Sequence, residues 1–395
     1  MKLGILGGSF NPIHLGHLFL AEKVLTALNL DRVVFIPAYV SPFKKDCSLE
    51  SCNDRLDMLA AAITGDIRFA IDSCEIKRQG VSYTIDTLED IITRYLPTGK
   101  PVLIIGDDLA KDFPKWRDSE RILQLADIAI AKRINAPAFN YPYAHISIEN
   151  DIMVISSQSI RQKIKDDADW MSLVPSGARA IIQDRKLYNY KGQKLGNTQF
   201  TVQQSDIQRI ETAVRESLTT ERFIHSRNTA LMAVDLCRRF GLDPMAGYLA
   251  GVAHDFAKQL DNKQLLKIIK ADGQEISALE KDKPNLLHGK AAAVLLRDRF
   301  CIHNKDVLDA VAFHTSGCEN MVPLAKVIYI ADKVECSRNI DTSLRSMCAA
   351  QSQEIDLDSI LYTVLEKTVV KLRARELDLS EDTLMLLNKM KERKI

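Results

Sequence analysis

The sequence lacks the marks of several whole classes of protein. No charge of one sign dominates: its 395 residues carry 53 Lys and Arg against 52 Asp and Glu, a net charge of +1. The balance holds within each half, at 23 basic to 24 acidic residues over 1–190 and 30 to 28 over 191–395. Neither half is the polycation expected of a general nucleic-acid or acidic-membrane binder, so a charged ligand must be met by a local site. No apolar run approaches the ~20 residues that cross a bilayer. Residues 1–8 are too short an apolar stretch, with no small-residue cleavage site, to read as a signal peptide. The eight cysteines form no CxxC pair, and Cys47 and Cys52 have no second pair to complete a zinc site. Reduced thiols in the cytoplasm are the expectation. Internal repeats and low-complexity tracts are also missing.

What is present is the composition of a globular protein, 46% hydrophobic and 27% charged. The length predicts two domains at roughly 150 residues per domain. Residues 2–6, 32–37, 67–71, 101–105, 128–131 and 151–155 read as strands, several of them continuously apolar. Strands of that kind are buried on both faces, as in a parallel sheet. Helical spacing at 18–28, 52–63, 84–95 and 120–125 alternates with them, which predicts a Rossmann-like, doubly wound α/β domain over 1–190. The polar, glycine-containing stretch 191–204 reads as a linker. Long helical patterns follow at 205–217, 226–240, 244–257, 261–270, 288–300, 304–314, 322–335 and 356–376, predicting an all-α domain over 205–395.

The first strand runs into Gly7-Gly8-Ser9-Phe10-Asn11-Pro12-Ile13-His14-Leu15-Gly16-His17. Paired glycines allow turns that a β-carbon forbids and let amides approach an anion. A helix beginning near His14 turns its positive end to the same crevice. His14 and His17, three apart, share one face of its first turn, with Gly16 keeping that face open. Two imidazoles there suit a reaction in which charge grows on phosphate. In Ile155-Ser156-Ser157-Gln158-Ser159-Ile160-Arg161, hydroxyls and fresh helix amides can meet a phosphate, with Arg161 adding a forked contact. Trp116 offers a flat face to an aromatic ring, and Asp108, at a strand end, can hold ribose hydroxyls.

These motifs resemble the HxGH nucleotidyltransferase superfamily, and within it the bacterial nicotinate-nucleotide adenylyltransferases, over roughly 1–190. Ser41-Pro42-Phe43-Lys44 is similar to the family's phosphate loop, with Phe43 where a histidine is common. Ser82-Tyr83-Thr84-Ile85-Asp86-Thr87-Leu88 is similar to its pyridine-nucleotide segment, Ile104-Ile105-Gly106-Asp107-Asp108 to its fourth-strand end, and Lys115-Trp116 to its stacking position. The resemblance implies transfer of AMP from ATP, with Mg²⁺, to nicotinate mononucleotide. His14, His17, Lys44 and Arg161 would be catalytic. Gly7, Gly8, Ser9, Phe10, Tyr83, Thr84, Gly106, Asp108, Trp116, Ser156 and Ser157 would bind substrate. Another phosphate acceptor is the alternative, against which Tyr83-Thr84 and Trp116 argue.

In the second half, His225, the adjacent His254-Asp255, His288, His314 and Asp332 all fall in helical contexts. Adjacent helix residues differ by about 100°, so His254 and Asp255 can flank one metal. Mixed imidazole and carboxylate donors suit iron, manganese, zinc or cobalt, and ligand type alone does not choose among them. His145 and His303 fit no such pattern and read as surface residues.

The order resembles the HD-domain phosphohydrolases, more closely those that cleave diadenosine tetraphosphate symmetrically into two ADP, over about 205–390. The resemblance implies that His225, His254, Asp255 and Asp332 hold one metal and His288, His314 and the bridging Asp255 a second. Such a dinuclear centre clamps the attacking and leaving oxygens of a phosphoanhydride. Lys258, Arg338 and Thr315 would face the polyphosphate. A phosphodiesterase or nucleotidase, or a silent module for nucleotide sensing or dimerisation, are the alternatives, and a homo-oligomer is compatible with all of them.

Overall fold

A computed structural model describes residues 1–42, 49–132, 141–149, 155–192, 206–338, 340, 342–350 and 355–392. The chain divides into two compact units, Met1–Val202 and Gln203–Ile395. Phe43 and Lys44 of the phosphate loop, Cys47, and most of the 191–204 stretch lie outside the described residues. Among those described, no helix is long and apolar enough to cross a membrane.

The first unit is built on strands β1 (Leu3–Gly8), β2 (Arg32–Pro37), β3 (Phe69–Ile71), β4 (Val102–Gly106), β5 (Asp127–Lys132) and β6 (Ile146–Glu149). They form one parallel sheet in the order β3-β2-β1-β4-β5-β6. Its helices are α1 (Leu15–Ala27), α2 (Cys52–Ala62), α3 (Cys74–Arg78), α4 (Thr84–Tyr95), α5 (Asp107–Ala110), α6 (Ser119–Leu125), α7 (Ser157–Lys165) and α8 (Ser176–Asp184). The strand core explains the apolar runs: every residue of β2 and the first four of both β1 and β4 are buried. The sheet's sixth strand is Ile146–Glu149. Of the segment predicted at 151–155, residues 151–154 are outside the described residues and Ile155 is in no strand. Ile146-Ser-Ile-Glu149 alternates apolar and polar residues over one short stretch, too brief a pattern to read unaided.

Helix starts follow cap chemistry. Ser51 accepts from the Asp54 amide to open α2, and Ser156 from the Ser159 amide at 3.1 Å to open α7. At the far end of α4, Arg94 forks onto Asp72, just past β3, at 2.7 and 3.1 Å, while the Tyr95 hydroxyl donates to Asp72 at 3.0 Å.

The second unit is helical: α9 (Asp206–Ser217), α10 (Thr220–Arg239), α11 (Pro244–Ala253), α12 (Asn262–Ala271), α13 (Ala278–Asp282), α14 (His288–Phe300), α15 (Lys305–Ala312), α16 (Pro323–Val334), α17 (Thr342–Ala349), α18 (Leu357–Arg373) and α19 (Glu381–Glu392). Three expectations about it are corrected. α15 ends at Ala312, so His314 lies in the turn after it and does not end the helix. α10 begins at Thr220, because Thr219 caps it by accepting from the Arg222 amide at 3.4 Å, so His225 sits inside the helix and does not precede it. α11 ends at Ala253, so His254 and Asp255 lie in the turn that follows.

α10 and α11 touch along small residues. A β-carbon on Gly251 would fall 2.5 Å from the Ala230 Cα, so only glycine permits the crossing. A buried bolt ties in α9: Arg227 Nε donates to Glu211 at 2.8 Å and the Tyr248 hydroxyl donates to the other Glu211 oxygen at 2.9 Å. Removing one partner of such a pair costs about 3–5 kcal/mol.

Candidate active sites of the two units

A cleft of about 490 Å³ opens at the carboxyl ends of β1 and β4. The strand order reverses there, and open parallel sheets bind ligands at that point. Gly7 and Gly8 close β1, Gly106 closes β4 and Asp108 follows in the first turn of α5; all four line the cleft. The turn expected of the glycines is made elsewhere. Both glycines stay in the extended strand, and Phe10 takes the left-handed conformation at φ 45°. The Phe10 ring packs against Phe35 and against the edge of His17, and its side chain is buried beneath the cleft, not in its wall. The physical reason is apolar burial: Phe10 is 1% exposed.

His14 is the cap residue of α1 and His17 its third residue. Their rings stack at 3.7 Å, 25° apart, and both line the cleft. A β-carbon on Gly16 would sit 3.0 Å from His14 Nδ1, so the bare glycine lets that ring lie over the helix start. The His14 amide donates to His17 Nδ1 at 3.3 Å, which leaves Nε2 of a neutral His17 as the donor.

Ser156, Ser157 and Arg161, from the start of α7, line the same cleft. Arg161 donates to the Asn11 carbonyl at 2.7 Å and Ser157 to that of Pro12 at 2.9 Å, so this helix start is fastened to the loop after β1. Ser9, Thr84 and Trp116 complete the predicted wall residues. Tyr83 does not line the cleft; it caps α4, and the Arg117 guanidinium lies 4.7 Å over its ring.

Two residues of this site escaped sequence reasoning. Arg55, 1% exposed in α2, donates to the carbonyls of Ser9 at 2.8 Å and Ala38 at 2.7 Å, joining the loops after β1 and β2. Its only signal is an arginine on the apolar face of a helix. Glu75 lines the cleft and accepts from the Thr87 hydroxyl at 2.6 Å; burial pushes its carboxyl above the ordinary value.

In the second unit, α10, the turn after α11, α14, the turn after α15 and α16 bring His225, His254, Asp255, His288, His314 and Asp332 together. The donor atoms of His225, His254 and Asp332 lie within 4.8 Å of one another, as do those of His254, Asp255 and His314. His288 Nε2 is 3.2 Å from Asp255 Oδ1 and 3.1 Å from His314 Nε2. Burial would raise the Asp255 and Asp332 carboxyls, but hydrogen bonds from His288 and His225 and the nearby Lys258 and Lys333 ammonium groups help hold both well below the usual range. Burial foremost, with the neighbouring imidazoles, holds His314 well below the ordinary imidazole value, which keeps it neutral as a ligand must be. Buried imidazole nitrogens and carboxylate oxygens converging in this way suit divalent transition metals.

Cations ring the cluster. Lys258 donates to His288 Nε2 at 3.1 Å, Arg338 pairs with Asp332 at 2.6 Å, and the Thr315 hydroxyl is 3.0 Å from His314 Nε2. Arg222, which sequence reasoning passed over, pairs with Asp255 at 2.8 Å. His303 is exposed, and His145 is half-buried with Nδ1 2.9 Å from the Tyr143 carbonyl.

A parallel sheet with a phosphate-suited cleft at its switch point, and a helical unit with a histidine–aspartate cluster, define a cytidylyltransferase-like domain joined to an HD domain. The Cytidylyltransferase-like family matches residues 5–163 and the HD domain family residues 222–336. The probable nicotinate-nucleotide adenylyltransferase of Borreliella burgdorferi is 38% identical over 188 residues, covering 48% of this chain and 97% of that protein. That of Treponema pallidum is 36% identical over 202 residues, covering 48% and 99%. Through its first unit the chain belongs to the nicotinate-nucleotide adenylyltransferase family. The crystal structure of a predicted HD superfamily hydrolase involved in NAD metabolism from Clostridium acetobutylicum aligns over 47% of this chain and 96% of that one, at 29% identity and a TM-score of 0.44.

Proposed function

We propose that the first unit transfers AMP from ATP to nicotinate mononucleotide, giving deamido-NAD and pyrophosphate. The observation that carries this reading is the stacked His14–His17 pair lining one cleft with Arg161, Ser156 and Ser157, in a unit that spans nearly the whole of its adenylyltransferase relatives. An oxygen of the mononucleotide 5′-phosphate attacks the α-phosphorus of ATP, the bond to the β-phosphate oxygen breaks, and pyrophosphate leaves. His17 Nε2, His14 and Arg161 donate to the oxygens on which charge grows, and Lys44, assigned from sequence alone, would add its charge. Mg²⁺ accompanies the triphosphate. Trp116 stacks on the pyridine ring, Thr84 holds its substituent, and Asp108 holds ribose hydroxyls.

For the second unit the reading is metal-dependent hydrolysis of diadenosine tetraphosphate into two ADP. Two metal ions, iron first among the candidates, would be held by His225, His254, Asp255 and Asp332 and by His288, His314 and the shared Asp255; they would supply Lewis acidity and an activated water. Lys258, Arg338 and Thr315 hold the phosphate oxygens, and cleavage of the central anhydride by one water yields the two ADP. Buried imidazoles and carboxylates within one HD-matched segment support this reading.

One experiment tests both. Metal content is measured on purified protein, and each activity is assayed in wild type, His17→Ala and Asp255→Ala. His17→Ala is expected to lose transfer by roughly 100-fold or more with an unchanged melting temperature, and Asp255→Ala to lose hydrolysis alone. Near wild-type transfer in the first variant sinks the transferase mechanism, and undiminished hydrolysis in metal-stripped protein sinks the metal reading.

A further inference from the structure

The four imidazoles of the second unit's cluster are not held alike. His254, His288 and His314 each set Nδ1 on a backbone carbonyl three residues earlier, those of Gly251, Asn285 and Val311, at 2.7, 2.7 and 2.8 Å. His225 sets Nδ1 3.1 Å from Oε1 of Glu335, a carboxylate with 0% exposure. Glu335 is itself fixed, accepting from the Ser337 amide at 2.6 Å and the Ser337 hydroxyl at 2.5 Å. On the opposite edge of the ring, His225 Nε2 lies 3.1 Å from Asp332 Oδ1. The carboxylate therefore reaches from the end of α16 to the back of a ring on α10 and turns its other nitrogen into the cluster.

A carbonyl presents a dipole to the ring, and a carboxylate presents a charge. Donating Nδ1–H to a charge pushes electron density toward Nε2 and makes it the stronger metal donor. Arg338 Nε, 3.8 Å from Glu335, is too distant for a direct hydrogen bond and leaves the short contact to His225 in place. Of the two metal positions, only the one with His225 has an imidazole backed by a carboxylate, so the two differ in kind.

We infer that Glu335 is a positioning residue that fixes His225 as an Nε2 donor and makes the metal position containing His225 the tighter of the two. The inference rests on the second unit being a two-metal centre. The test uses the full chain, stripped of metal and titrated with Mn²⁺, with calorimetry and metal-to-protein ratios as readouts. Wild type is expected to load in two steps of unequal affinity. Glu335→Gln, which keeps the shape and loses the charge, should weaken the first step by roughly 10- to 100-fold and leave the second unchanged. Ser337→Ala, which loosens Glu335 and keeps its charge, should shift the same step by less, and serves where the glutamine variant fails to fold. Two equal steps in wild type, unaltered steps in both variants, or joint loss of both steps overturns the role of Glu335. A wild type that takes up no Mn²⁺, Fe²⁺, Co²⁺ or Zn²⁺ overturns the metal centre itself.

Discussion

Gly16 shows how a single residue can set a site. Its missing β-carbon leaves the space that His14 fills, and a methyl there would stand 3.0 Å from Nδ1 and 3.1 Å from Cε1. Gly16→Ala should push the His14 ring off its stack on His17 while leaving the sheet intact. The expected loss is roughly 10- to 100-fold in deamido-NAD formation, with the melting temperature moved by only a few degrees; an unchanged rate would show that the His14 position is not needed. The histidines and the glycine were legible because their spacing alone places them on one helical turn. Phe10 was not, since a phenylalanine beside a glycine pair reads equally as a ring for a ligand or as core, and its apolar surface decided for the core.

At the scale of elements, α4 is tied to β3 through charge. Asp72 is 4% exposed, and although burial would raise its carboxyl, Arg94 and the Tyr95 hydroxyl hold it below the ordinary value of 3.8. A carboxyl depressed in the folded state stabilises it above that ordinary value, and the contribution fades as pH falls through the depressed one. Asp72→Asn should therefore lower stability at neutral pH and flatten the acid limb of the unfolding profile below about pH 4, as measured by denaturant titration across pH. A profile parallel to wild type would show that the pair is energetically silent. Element existence was largely legible from period, as with α4 and β2. Boundaries were less so: α10 starts several residues before its apolar repeat because Thr219 caps it, and β6 is too short to announce itself.

For the whole molecule, two units with separate cores imply two separable chemistries. Residues 1–202 expressed alone should form deamido-NAD at a rate within a few-fold of the full chain. Residues 203–395 alone should hold metal and hydrolyse diadenosine tetraphosphate. Chelation should abolish the second activity in the full chain and spare the first once Mg²⁺ is restored. A first unit silent by itself would show that the two depend on each other.

The sequence by itself determined the classes of chemistry. Strand–helix alternation demands a parallel sheet, the glycine and histidine spacing demands a helix-end cradle, and histidine next to aspartate supplies metal donors, because each is a matter of local period and residue type. Only the tertiary structure decided which distant side chains meet. Arg55 bolting two loops, Glu335 backing His225 and Arg222 on Asp255 are contacts between separate elements. Local spacing carries no trace of them, since helix crossings and buried charge pairing are settled by packing across the fold.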